Sequence, residues 1–162
     1  METVALPDKL YRKLSQKAEE RGCFPEELCI EMVLEGLGEE LDPDDLVEHY
    51  RSLGEKYLAE ARKFLDRKDL AQASEKLWGA SALTVKALAA ERGLRLERHG
   101  SLWNFVSQIS KEVGDEDILR SFHVANSLHR NFYEHQMDEE AIEVAMKDVE
   151  RLVAKLKGLI SK

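Results

Sequence analysis

Residues Asn126 to Gln136 read NSLHRNFYEHQ, and reactive side-chain types crowd there: His129, His135 and Arg130 stand among two asparagines and two aromatics in an otherwise acidic chain. Imidazole changes charge near neutrality, and guanidinium presents a fixed charged fork to phosphate oxygens. Together these types suit the handling of a phosphate group. A plainer account is the end of an amphipathic helix. Ile118, Phe122, Ala125, Leu128 and Phe132 make its packed stripe, and His123, Ser127, Arg130 and Glu134 its solvated one. On that account Arg130 pairs with Glu134 for a few tenths of a kcal/mol. His135 then complements the helix dipole, and His129, between Ala125 and Phe132, is a satisfied core histidine.

Other chemistries find little support. The five histidines have no i,i+4 pairing with one another and no nearby cysteine, so no metal site is expected. There is no Gly-rich phosphate loop, no GxSxG elbow and no implied cofactor. Cys23 and Cys29 read as reduced packing residues, and Trp78, Trp103 and Phe105 as core anchors. A second basic cluster lies in ERGLRLERHG, where Arg92, Arg95, Arg98 and His99 follow Lys86; in isolation it is a solvated loop after a helix.

The elements that must position these groups are helices. The chain has 162 residues, 43% hydrophobic and 35% charged, with three prolines and nine glycines, a composition that favours an all-α globular domain. A formal net charge of −8 argues against non-specific DNA wrapping and confines any nucleic-acid contact to local patches. No apolar run approaches the roughly 20 residues of a membrane span, and no signal peptide is recognisable, so a cytoplasmic protein without membrane contact is expected. Asp42 before Pro43, Asp69 with Gln72, Ser101, Asp115 and Asp138 predict five helix starts. Gly22, Gly93 and either Gly36 or Gly38 predict helix stops. From residue 42 onward this is a bundle of antiparallel-capable helices.

YLAEARKFLDRKDLAQASEKLWGASALTVKALAAERG, HGSLWNFVSQIS and HVANSLHRNFYEH together resemble the PaREP-type archaeal proteins, which belong to the HEPN superfamily of helical bundles. The likeness spans roughly residues 42 to 157. It implies a HEPN-like bundle of about five helices over residues 42–162. It also implies an R-N-x-x-x-H motif at Arg130, Asn131 and His135, which in HEPN ribonucleases lines a cleft shared by two subunits and cuts RNA without metal. His135 then exchanges a proton with a ribose 2′-hydroxyl, Arg130 stabilises phosphate charge, and Asn131 positions the phosphate or the imidazole. His129, His123, Arg98 and His99 are the accompanying binding candidates. On a continuous helix Arg130 and His135 point about 140° apart, so they converge only where the helix breaks or a second copy completes the site.

Residues 1–38 resemble ribbon-helix-helix proteins in VALPDKLYRKLSQKAEERGCFPEELCIEMVLEGL, which implies a short strand, ETVALP, ahead of two helices. Thr3 and Ala5 would face outward beside Glu2, residues 1–38 hold five Lys and Arg against eight Asp and Glu, and Phe24 replaces the usual Ser or Thr cap. Dimerisation or packing on the bundle is therefore favoured over DNA reading. The expected fold is a HEPN-like bundle with this strand-helix-helix extension, forming a homodimer. The leading function is an endoribonuclease of the toxin or defence type that meets RNA and an antitoxin-like partner. The alternatives are a non-catalytic HEPN module for a nucleotide or partner protein, and a DNA-binding regulator acting through residues 1–38.

Overall fold

The structure, a computed structural model, describes residues 2–96 and 99–161, with the side chains of His99 and Gly100 outside that description. Among the described residues the regular elements are seven helices: α1 (Asp8–Arg21), α2 (Pro25–Leu37), α3 (Pro43–Asp66), α4 (Leu70–Glu91), α5 (His99–Val113), α6 (Glu116–Glu134) and α7 (Glu139–Leu159). The expected N-terminal strand is absent. Residues 2–7 have no regular structure, and Val4 is 81% exposed. A strand exists only through ladder hydrogen bonds to a neighbour, and the described chain lays no second extended segment beside this one.

Helix α4 is the axle of the bundle, and α3, α5, α6 and α7 all pack on it. Every residue from Leu77 to Ala90 is buried. Its run of Ala, Ser and Gly permits this, because small side chains let neighbouring backbones approach. At Gly54 of α3, an added Cβ would lie 2.8 Å from Thr84 Oγ1. Asp42, Asp69, Asp115 and Asp138 each accept a backbone N–H of the first turn they precede, as their spacing predicts. Gly22 and Gly38 adopt the left-handed conformation that ends α1 and α2. Helix α5 starts at His99, two residues before the expected Ser101 cap.

The α1–α2 hairpin docks on this bundle through its own loop. The Phe24 ring meets Tyr57 edge-on at 5.3 Å, and an added Cβ at Gly79 would lie 3.1 Å from Phe24 Cε1. Tyr57 donates to Glu26 at 2.5 Å, and Lys86 pairs with Glu27 at 2.6 Å. Glu27 also accepts the Phe24 backbone N–H at 2.7 Å, so the returning half of a capping box is made although phenylalanine offers no acceptor. The hairpin's apolar stripe is otherwise half covered. Ala18 and Leu28 are buried, whereas Leu10, Met32, Val33 and Leu37 are 51%, 54%, 50% and 69% exposed.

Candidate functional site at the end of helix six

Helix α6 stops at Glu134 because Asn131 stops it. Buried at 3% exposure, Asn131 donates from Nδ2 to Ser74 Oγ of α4 at 2.9 Å. Its Oδ1 accepts the backbone N–H groups of Gln136 and Met137, both at 2.8 Å. The residue caught inside this clamp is His135, held in the left-handed region at φ 53°, ψ 42°, with its own N–H donating to the Asn131 carbonyl at 2.9 Å. Glycine is the usual occupant of that position, since a Cβ there is strained; histidine enters it more readily than most residues but still at a cost.

The two remaining members of the motif face solvent. Arg130 and His135 are exposed, and no hydrogen bond or ion pair joins either side chain to the other described residues. The motif thus divides into one buried residue that shapes the chain reversal and two accessible groups on either side of it. The helix break expected between arginine and histidine is present, with its terminus at Glu134 rather than within 136–138.

The binding candidates fall in separate places. His123 is exposed, its ring 4.6 Å from that of Trp103. Arg98 lies outside the described residues, as does the His99 side chain. The basic segment around them is already divided: Arg92 pairs with Glu112 at 2.6 Å, and Lys86 is turned into the interior against Glu27. His129 is half-buried, with Nδ1 3.0 Å from Glu75 Oε2 and its ring 5.2 Å from Trp78 and 5.6 Å from Tyr133.

His129 borders a cleft of about 670 Å³ between the α1–α2 hairpin and helices α4 and α6. Tyr133 reaches across it to donate to Glu19 of α1 at 3.2 Å. At its inner wall, burial first and Glu26 second push the Tyr57 phenol far above its ordinary range, so Tyr57 stays a donor. Burial likewise raises the Cys23 thiol, which favours its protonated form. Glu75, Tyr133, Glu19 and the buried Lys86 escape a reading of the sequence because their partners come from distant segments. Two signals were nonetheless present: Glu75 and Trp78 stand three apart on one face of α4, and Lys86 interrupts an otherwise uncharged helical run. Among the described residues no three His, Cys, Asp or Glu side chains converge to hold a metal ion, and no helix is long and apolar enough to cross a membrane.

Comparison with known proteins gives this geometry a context. A crystal structure of a protein from Sulfolobus solfataricus is similar, with a TM-score of 0.61 and 25% sequence identity, covering 67% of this chain and 97% of that one. No curated protein matches the chain. The model of the archaeal PaREP1/PaREP8 family matches residues 49–153, which takes in α4, α5, α6, the Asn131 clamp and most of α7. With that much of its 162 residues inside the match, the chain belongs to the archaeal PaREP1/PaREP8 family.

Proposed function

We propose that this protein is a metal-independent endoribonuclease of the HEPN type, whose reacting groups are Arg130 and His135 at the end of α6. The observation that supports the reading is the clamp: a buried asparagine spends its whole acceptor on holding a histidine in left-handed backbone, while the imidazole itself is left to solvent. Backbone strain that the surroundings over-determine is the kind of feature that accompanies function. A glycine would satisfy the same turn at lower cost.

In this mechanism neutral His135 takes the proton of a ribose 2′-hydroxyl. The 2′-oxygen attacks the adjacent phosphorus, and Arg130 receives the charge that builds on the non-bridging oxygens. The bond from phosphorus to the 5′-oxygen breaks, an acid of a second copy of the chain protonates that oxygen, and a 2′,3′-cyclic phosphate remains. Asn131 touches no substrate. It positions His135 by fixing residues 135–137. A second copy of the chain, apposed at the same end, supplies the acid and the opposite wall, so the working unit of the proposal is a homodimer.

The test is incubation of purified protein with single-stranded RNA in excess EDTA, followed by end-group analysis. Cyclic phosphate termini are expected, together with resistance of a substrate carrying a single 2′-deoxyribose at the cut. Arg130→Ala should slow cleavage by roughly a hundredfold or more. Intact RNA, or cutting that Arg130→Ala leaves at the wild-type rate, ends the proposal.

A further inference from the structure

We infer that the outer half of the α1–α2 hairpin is a self-association surface, on which a second copy of this chain lies with its α1 against this α2 and its α2 against this α1. The grounds are independent of the ribonuclease reading. The first is a helix left short of cover. Only the loop end of the hairpin is docked: Phe24, Glu26 and Glu27 meet the bundle, and beyond that turn α2 packs on no described helix but α1. Yet Cys29, Ile30, Met32, Val33, Leu34 and Leu37 sweep more than half of its circumference with apolar side chains. A helix apolar over so wide an arc belongs in an interior, covered on more than one side. Here Met32, Val33 and Leu37 are at least half exposed, and Leu10 of α1 is too, at the end of the hairpin away from its loop. Apolar surface gathered on an otherwise charged exterior marks contact with another molecule.

The charges name that molecule. Residues 9–17 of α1, KLYRKLSQK, hold four cations and no acid, whereas residues 31–40, EMVLEGLGEE, hold four glutamates and no base. Glu31 is taken by Arg21 at 3.0 Å. Lys9, Arg12, Lys13 and Lys17, like Glu35 and Glu39, have no ion pair among the described residues. The glutamate row would repel a nucleic acid or an anionic membrane that the lysine row attracts. A surface that carries its two signs on separate helices is instead complementary to itself, once turned about a two-fold axis. With α1 of each copy opposed to α2 of the other, each row of cations meets a row of glutamates, and the exposed apolar side chains leave water together. The other two-fold pairing, α1 on α1, sets lysine against lysine and glutamate against glutamate.

Sedimentation velocity of the full chain over a concentration series tests the assignment. A species of twice the chain mass is expected, with a dissociation constant at or below about 100 μM that rises with added salt. Leu37→Glu, at a position 69% exposed, should weaken the dimer about tenfold or more while circular dichroism shows helicity unchanged. Lys9→Glu combined with Lys13→Glu should weaken it about tenfold as well, and adding Glu35→Lys and Glu39→Lys to the same chain should recover most of that loss. Val4→Pro, which removes a backbone donor from the extended residues ahead of α1, should leave the dimer unchanged. A chain that stays monomeric throughout, a dimer that no folded helix variant weakens, a charge swap that recovers nothing, or dissociation by Val4→Pro overturns the inference.

Discussion

Replacing Asn131 by alanine isolates the clamp on which the proposed chemistry rests. The substitution removes three hydrogen bonds, one to Ser74 and one each from the N–H groups of Gln136 and Met137. Ser74 keeps its donation to the Leu70 carbonyl at 2.8 Å, so the loss on that side is confined to the asparagine amide. The two backbone donors lie near the surface, where water replaces part of what is removed. At about 1 kcal/mol for each bond, plus a partial penalty for imperfectly solvated donors, the chain should lose about 2–4 kcal/mol of stability. For a domain of this size that corresponds to a fall of roughly 5–15 °C in Tm. Urea denaturation followed by circular dichroism measures the energy. Amide hydrogen exchange locates it, because the Gln136 and Met137 amides should be protected in the parent chain and exchange at least about tenfold faster in the variant. A loss below about 0.5 kcal/mol, or unprotected amides at 136 and 137 in the parent chain, would refute the reasoning.

Three further outcomes follow from the same structure. His135→Gly should raise the unfolding free energy by about 0.5–1 kcal/mol, since it relieves a left-handed backbone and removes no side-chain hydrogen bond or ion pair among the described residues; a lower urea midpoint contradicts this. Lys86→Met leaves the Glu27 carboxylate, only 10% exposed, without its cation, so a loss of about 3–5 kcal/mol is expected. The double variant with Glu27→Leu should recover much of that, and a double variant as unstable as the single one would show that the pair is not the cause. Burial holds His49 below the usual imidazole range, against the raising influence of Glu27 and Glu26, and its buried Nε2 has no hydrogen-bond partner among the described residues. The unfolded chain therefore takes up a proton at His49 before the folded one does. This contribution to stability is complete above about pH 6.5 and is lost as pH falls through the folded value. An NMR titration placing the His49 ring at or above about 6.5 would reverse the sign.

Local signals were legible and non-local ones were not. Four aspartate caps, the Pro43 start and the glycine stops at Gly22 and Gly38 were readable because each depends on residues within one turn. The bundle followed from them, whereas the close approach of α3 to α4 at Gly54 is a tertiary fact. The strand at ETVALP, implied by resemblance alone, does not form, because a strand depends on a partner that local pattern does not reveal. At the candidate site the residue types were visible but their division of labour was not. Asn131 stands in sequence beside Arg130, yet only α4, through Ser74, makes it a buried clamp. The cleft was invisible throughout, being assembled from pairs such as Glu19 with Tyr133 and Glu27 with Lys86 that only tertiary packing brings together.

The most direct test of the central claim is RNA cleavage in EDTA by the parent chain and by His135→Gly, measured beside their urea unfolding curves. A variant at least as stable as its parent is expected, with a cleavage rate lower by roughly a hundredfold or more. Undiminished cleavage by a folded His135→Gly protein would contradict it.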